Sequence, residues 1–305
     1  MSPEQNIESG NNPPILGGHM LYEKYIDDPN SDLPLFVKAF NINLLTIPSK
    51  AKGMKEDLKR EYDMYDYLAS TEFRNIPEEF SYENDKLKIS AYQPKNGWYW
   101  EVPKSSTYAT YYSEDILETI DELKTIPPID FEHESTTNHF YNNGWLKIFQ
   151  RRNATRIINK IEESMPYLHA NTVIGAEKLI DVINGYDLSL ANKAEVAHQK
   201  PRTMLGHFDA RPSNIAWHPT GGVKLVDWSW CANTSQNSDS TMFLIDVHKT
   251  DFETRNLDGF EKHFDENHAA LFMGYWLLRC IAPAPDQTVR FHQLASAATA
   301  ASIIL

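Results

Sequence analysis

The sequence predicts an α+β chain: a small N-terminal antiparallel sheet lobe with one helix, then a larger, mostly helical C-terminal lobe. Three observations lead there. Short apolar segments of β character cluster before residue 93 and surround one amphipathic helical stretch. A breaker cluster, QPKNG at 93–97, follows. Beyond it the apolar spacing becomes helical, interrupted by a few short strand-like pieces. The 305 residues suit two domains or one large bilobal one, at ~100–200 residues per domain. The predicted division is 1–93 and 94–305.

Residues 1–14 read as a loose leader, polar and rich in Ser, Asn, Gly and Pro. Segments 19–26 (HMLYEKYI) and 33–40 (LPLFVKAF) flank a strong turn, DDPNSD, and so form a hairpin. Residues 54–70 are predicted helical because Leu58, Tyr62, Tyr65 and Leu68 fall near one face. Strands follow at 79–82 and 86–92, with Asn84-Asp85 as their turn. After the breaker, a helix is predicted from Ser113 to 125. Glu114 and Asp115 suit its N-terminus, and Pro127-Pro128 stops it. Further helices are predicted at 143–165, 173–183, 267–280 and 287–304, and short strands at 204–208, 215–217 and 223–226.

Composition excludes several classes. The net charge of −13 argues against nonspecific binding to nucleic acid or to an anionic membrane, both of which require a basic surface. With 7 Trp, 15 Tyr and 14 Phe the chain is no disordered polyanion. Cys231 and Cys280 cannot make a disulfide framework and form no zinc motif. The polar N-terminus has no apolar core of a secretory signal. The longest apolar run, 269–278, is broken by Arg279, short of the ~20 residues a membrane span needs. A cytoplasmic location is expected.

The chemistry concentrates in 205–228, LGHFDARPSNIAWHPTGGVKLVDW. Asp209 follows His207 by two, Asn214 follows Asp209 by five, and Asp227 follows Asn214 by thirteen. HPTGG at 218–222 reads as a hairpin turn, which brings Asn214 and Asp227 together near Asp209. Oxygen donors on one edge suit a hard cation such as Mg²⁺, and Asp209 is left to hold a hydroxyl proton.

With HFDARPSN and LVDW the chain resembles the aminoglycoside phosphotransferase and choline kinase superfamily, relatives of the protein kinases. That resemblance implies a bilobal protein-kinase-like fold, ATP and Mg²⁺, and transfer of the γ-phosphoryl group to a hydroxyl of a small molecule. It makes Asp209 the catalytic Asp, Asn214 and Asp227 the magnesium ligands, His207 a scaffold residue, and Asp239 the cap of the following helix. Arg211 is read as neutralising the transferring phosphoryl group or as a surface salt bridge. In FVKAF, Lys38 looks like the strand Lys that contacts the α- and β-phosphates, and Glu61 like the helix Glu that holds it. Tyr92 and Gln93 are read as an adenine-binding hinge or a plain linker.

Two departures stand out. No GxGxxG precedes Lys38, only Gly17-Gly18, and Phe208 stands where the superfamily pattern has Gly. Carboxylates and indoles in the C-terminal half (Trp228, Trp230, Asp246, Glu253, Asp258, Glu261, Asp265, Glu266 and Trp276) tilt the acceptor toward a cationic or amino-bearing molecule. The alternative is a catalytically weakened nucleotide-binding or regulatory module. Phosphorylation of protein side chains is disfavoured, since no Ala-Pro-Glu follows LVDW.

Overall fold

The computed structural model describes residues 21–26, 34–40, 48–129, 136–283 and 287–305. The leader, Gly17-Gly18 and the turn at 27–32 lie outside the described residues.

The N-terminal layer is the expected antiparallel sheet. Strands β1 (Leu21–Ile26), β2 (Leu35–Phe40), β3 (Phe80–Glu83) and β4 (Lys86–Ser90) lie in the order β1-β2-β4-β3. Lys38 sits mid-strand in β2, opposite Glu23 on β1 and Leu87 on β4. The β3–β4 turn places Asn84 and Asp85 at φ 53° and 59°. A two-residue hairpin with matching twist requires positive φ at both positions, and Asn and Asp tolerate it best after Gly. Helix α1 (Pro48–Ala69) packs Leu58, Tyr65 and Leu68 with Leu87 and Ile89 of β4. It begins earlier than the predicted 54.

The segment after β4 turns through a single 3₁₀ turn, Pro94–Asn96, closed by Gly97 at φ 88°. A side chain there would be strained, and its Cβ would come within 2.8 Å of the His218 ring.

Helices dominate the rest, with two corrections to their predicted bounds. Helix α2 (Ser106–Leu123) starts well before Ser113, which is buried inside it and donates its hydroxyl to the Ala109 carbonyl at 2.7 Å. The single helix expected over 143–165 is two, α4 (Trp145–Ile148) and α5 (Arg151–Ser164), and they follow a separate helix, α3 (Thr136–Asn142). The break has a tertiary cause. The Trp145 indole donates to the Ala270 carbonyl at 2.8 Å, and a Cβ on Gly274 would lie 2.6 Å from its ring.

Helix α6 (Ala170–Asn184) is as expected in place, whereas α7 (Ser189–Gln199) was not predicted. Strand β5 (Met204–Gly206) precedes the hairpin of β6 (Ile215–His218) and β7 (Gly222–Leu225), and β8 (Ala232–Thr234) returns to pair with β5. Helices α8 (Ser238–His248), α9 (Phe260–His263), α10 (Glu266–Cys280) and α11 (Gln287–Ile304) close the chain. Among the described residues no helix is long and apolar enough to cross a membrane.

Two apolar cores organise these elements. One gathers α10, α11, α6 and α7. The other runs from α1 and β4 to Leu205, Ile215, Trp217 and Leu225 of the strands around the HFD segment. Each large side chain buried there contributes about 1.5–3 kcal/mol. This second core ties the N-terminal sheet to the hairpin and thereby fixes Lys38 and Glu61 against Asp227.

Candidate active site

The site is assembled from two sides. From the N-terminal sheet, the Lys38 ammonium lies 3.0 and 3.1 Å from the two Glu61 oxygens. Both residues are buried, 5% and 1% exposed, so neither charge is tolerable without the other. Burial pushes the Glu61 carboxyl up, against the pull of Lys38. Tyr65, one turn along α1, donates to Glu61 at 2.8 Å.

The hairpin reaches this pair from the opposite side. Asp227, in the left-handed conformation at φ 66°, donates its amide to Glu61 Oε1 at 3.1 Å. Its Oδ1 lies 3.6 Å from Lys38 Nζ and accepts the Ser229 hydroxyl at 3.0 Å. Arg60 on α1 donates to the Ser229 carbonyl at 2.9 Å, so α1 grips the backbone on both sides of the Asp.

Asp209 is held from its own loop. Asn214 donates its amide nitrogen to Asp209 Oδ2 at 2.7 Å and to the Asp209 carbonyl at 2.9 Å. Arg211 Nη2 donates to Oδ2 at 2.8 Å, and Nε lies 2.6 Å from Oδ1 but out of line for a hydrogen bond. Partial burial works against the Arg211 charge, yet Asp209 and Asp246 hold its guanidinium above the ordinary range. Arg211 is thus ion-paired with Asp209 itself.

The scaffold of this loop is a chain of buried bonds. His207 donates Nε2–H to the Val226 carbonyl at 2.9 Å and accepts the Asp209 amide at Nδ1, 3.2 Å. Asp239 does not cap α8 as expected; Asn237 holds that position. Its carboxylate instead accepts the amides of His207 and Phe208 at 2.7 and 2.8 Å. Phe208, where the pattern has Gly, adopts φ 58°. A residue with a side chain is strained there by about 1–2 kcal/mol. Its ring is buried, edge-on to Phe140 at 5.9 Å, and so serves packing.

For a divalent cation the available donors are of the right kind. The Asn214 nitrogen is committed to Asp209, so its carbonyl oxygen is the atom it offers, and Asp227 supplies a carboxylate that is 34% exposed. One carboxylate and one carbonyl suit Mg²⁺, which takes its remaining ligands from water and phosphate.

In the segment after β4, the Tyr92 carbonyl accepts the Trp100 indole at 2.6 Å and the Gln93 carbonyl accepts the Asn96 amide at 2.9 Å. The Gln93 side-chain oxygen is buried without a hydrogen-bond partner among the described residues.

Most carboxylates named for the acceptor are engaged elsewhere. Glu253 pairs with Arg255 at 2.8 Å, Glu266 with Lys193, and Asp265 caps α10 and pairs with Lys200. Asp258 and Glu261 face solvent. Trp228 and Trp276 are buried. Asp246, expected as a helix-face carboxylate, is buried under Arg211, Lys249 and Ser296. Sequence reasoning missed Tyr65, although its i+4 spacing from Glu61 on one helix was visible. It also did not single out Tyr275 on α10, whose ring the fold stacks on Phe140.

No family model matches this chain, and no curated protein matches it. Solved structures do. A choline kinase, LicA, from Streptococcus pneumoniae aligns over 93% of this chain and 91% of its own, at 15% identity and a TM-score of 0.50. A thermostable mutant of the aminoglycoside phosphotransferase APH(4)-Ia aligns over 95% and 92%, at 12% identity and a TM-score of 0.52. The chain therefore has the kinase-like fold common to choline kinases and aminoglycoside phosphotransferases.

Proposed function

We propose that the protein transfers the γ-phosphoryl group of ATP to a hydroxyl of a small molecule, with 1–93 as the nucleotide-binding lobe and 94–305 as the catalytic and acceptor-binding lobe. The observation that carries this is the convergence of Lys38, Glu61 and Asp227 at one end of the cleft, while Asp209 is held by Asn214 and Arg211 at the other.

In this reading Lys38 contacts the α- and β-phosphates, and Glu61 keeps its ammonium in place. Asp209 accepts a hydrogen bond from the acceptor hydroxyl and takes its proton as the oxygen attacks. A bond forms between that oxygen and the γ-phosphorus; the bond from the γ-phosphorus to the β,γ-bridging oxygen breaks, and ADP leaves with that electron pair. Mg²⁺, held by Asn214 and Asp227, offsets phosphate charge when bound. Arg211 keeps the Asp209 carboxylate oriented beforehand, so less reorganisation is needed at the moment of transfer. The buried Gln93 oxygen would accept an amine of the base. The weakened-module reading draws no support from Phe208, whose ring is accommodated in the core.

The test is Asp209→Ala. Turnover, read as ADP release with a panel of hydroxylated acceptors, should fall about 10³-fold, while stabilisation by ATP and Mg²⁺ in a thermal-shift assay persists. Near-normal turnover in this variant would remove Asp209 from the chemistry.

A further inference from the structure

An aromatic cluster packs beside the Asp209 loop, and arginines follow it along α10 and α11. The Tyr275 ring stacks on Phe140 at 4.2 Å and lies 5.6 Å from His139, whose ring is 5.7 Å from Trp230. Phe140 in turn packs on Phe208, the residue before Asp209. Burial raises the Tyr275 phenol above its ordinary range, and the charges around it include those of Arg279, Asp209 and Arg211.

One turn along α10, on the same face, is Arg279. Its Nε is buried and has no hydrogen-bond partner, and no carboxylate among the described residues pairs with it. Burial holds the Arg290 guanidinium of α11 below its ordinary range, and the neighbouring charge of Arg279 adds to that. It is buried, and it donates to the carbonyls of Ala282 and Pro283 at 3.0 Å each and to Gln293 at 2.8 Å. Those bonds fix the chain after α10 but leave the charge of Arg290 without a counter-ion among the described residues; Asp286 lies outside them. Arg156 and Lys160 of α5 add positive charge beside Cys280. Against these cations stand Asp209, already paired with Arg211, and Asp246, already paired with Lys249.

We propose, resting on the phosphotransfer reading of Asp209, that the acceptor is an anionic hydroxy compound whose carboxylate or phosphate seats on Arg279 and Tyr275 while its hydroxyl meets Asp209. A guanidinium with unsatisfied N–H groups is matched by the two oxygens of such a group. The charge of Arg290 adds to the attraction at close range. A cationic acceptor would meet like charge at Arg279 and find Asp246, Glu253, Asp265 and Glu266 occupied.

The test uses the full chain and a series that differs in charge: D-glycerate, glycerol 3-phosphate, glycerol and ethanolamine. Binding is measured by calorimetry without nucleotide, and turnover by ADP release with ATP and Mg²⁺. One or both anions should bind at least about tenfold more tightly than glycerol or ethanolamine, and which one binds separates carboxylate from phosphate. Arg279→Gln should weaken that anion about ten- to hundredfold, Arg279→Lys should recover part of it, and Tyr275→Phe, which keeps the ring stack, should cost about two- to tenfold. Tighter binding of ethanolamine, no binding of either anion, or anion binding unchanged in Arg279→Gln would each overturn the proposal. Anion binding through Arg279 in a protein that neither binds nor consumes ATP would leave the anion site standing and bring down the phosphotransfer reading instead.

Discussion

At the Lys38 end of the cleft, Lys38, Glu61, Tyr65 and the Asp227 amide close on one another at 2.8 to 3.3 Å. At the Tyr275 end, the buried Nε of Arg279 has no such partner among the described residues. The first arrangement is preassembled: its charges are satisfied by the protein and need no ligand to remain buried. The second holds a guanidinium nitrogen that the described residues leave unsatisfied. The difference teaches where each end places its binding energy. Preassembly favours a constant ligand, while unsatisfied donors make the affinity depend on what the acceptor carries.

The largest expected effect tests the preassembled end. Lys38→Met leaves Glu61 buried without its cation and should cost about 3–5 kcal/mol in urea unfolding, as well as stabilisation by ATP. Arg279→Gln should move the same unfolding midpoint little, within about 0.5 kcal/mol. Equal losses in the two variants would erase the contrast between the ends.

Next is Phe208, which joins the two ends. Phe208→Ala empties the contact with Phe140 and should destabilise by about 3–4 kcal/mol. Phe208→Gly loses the same ring but relieves the φ of 58°, so it should be about 1 kcal/mol more stable than the Ala variant. An Ala variant more stable than the Gly variant would show that the backbone carries no strain there.

The smallest effect concerns the helix that presents Tyr275 and Arg279. Asp265 accepts the amides of Asn267 and His268 at 2.9 Å, at the start of α10. Asp265→Ala should cost about 1 kcal/mol. Burial opposes ionisation of this carboxyl, but His268 and Lys200 hold it well below the usual range. A carboxyl depressed in the folded state stabilises fully above its unfolded pKa, and that contribution is lost as pH falls through the folded value. Acidification below about pH 4 should therefore narrow the stability gap between wild type and Asp265→Ala. A pH-independent gap would mean that the cap acts without its charge.

What was legible in the sequence was local. The hairpin at 215–225, the turn at Asn84-Asp85 and the strand around Lys38 each follow from short-range pattern and turn chemistry. The spacing of Asp209, Asn214 and Asp227 works because a loop and a two-strand hairpin fix it within nineteen residues. The error at Ser113 arose because a hydroxyl that caps a helix in one context bonds back to the preceding turn when buried. The helix read across 143–165 looked continuous, and nothing local shows that Trp145 must dock on α10 at Gly274.

By itself, then, the sequence determined the fold class, the order of the elements and the residue types at the Lys38 end. Tertiary structure alone decided which charges meet. The net charge of −13 gave no sign that the region around Arg279 is locally positive, because composition sums over the chain whereas an acceptor meets only the few groups that packing brings beside Asp209. Of the carboxylates that read as an acceptor-binding cluster, Asp246, Glu253, Asp265 and Glu266 are matched to lysines and arginines, while Asp258 and Glu261 face solvent. Those pairings depend on how α7, α8, α10 and α11 pack, and packing is settled by side-chain shape over the whole core.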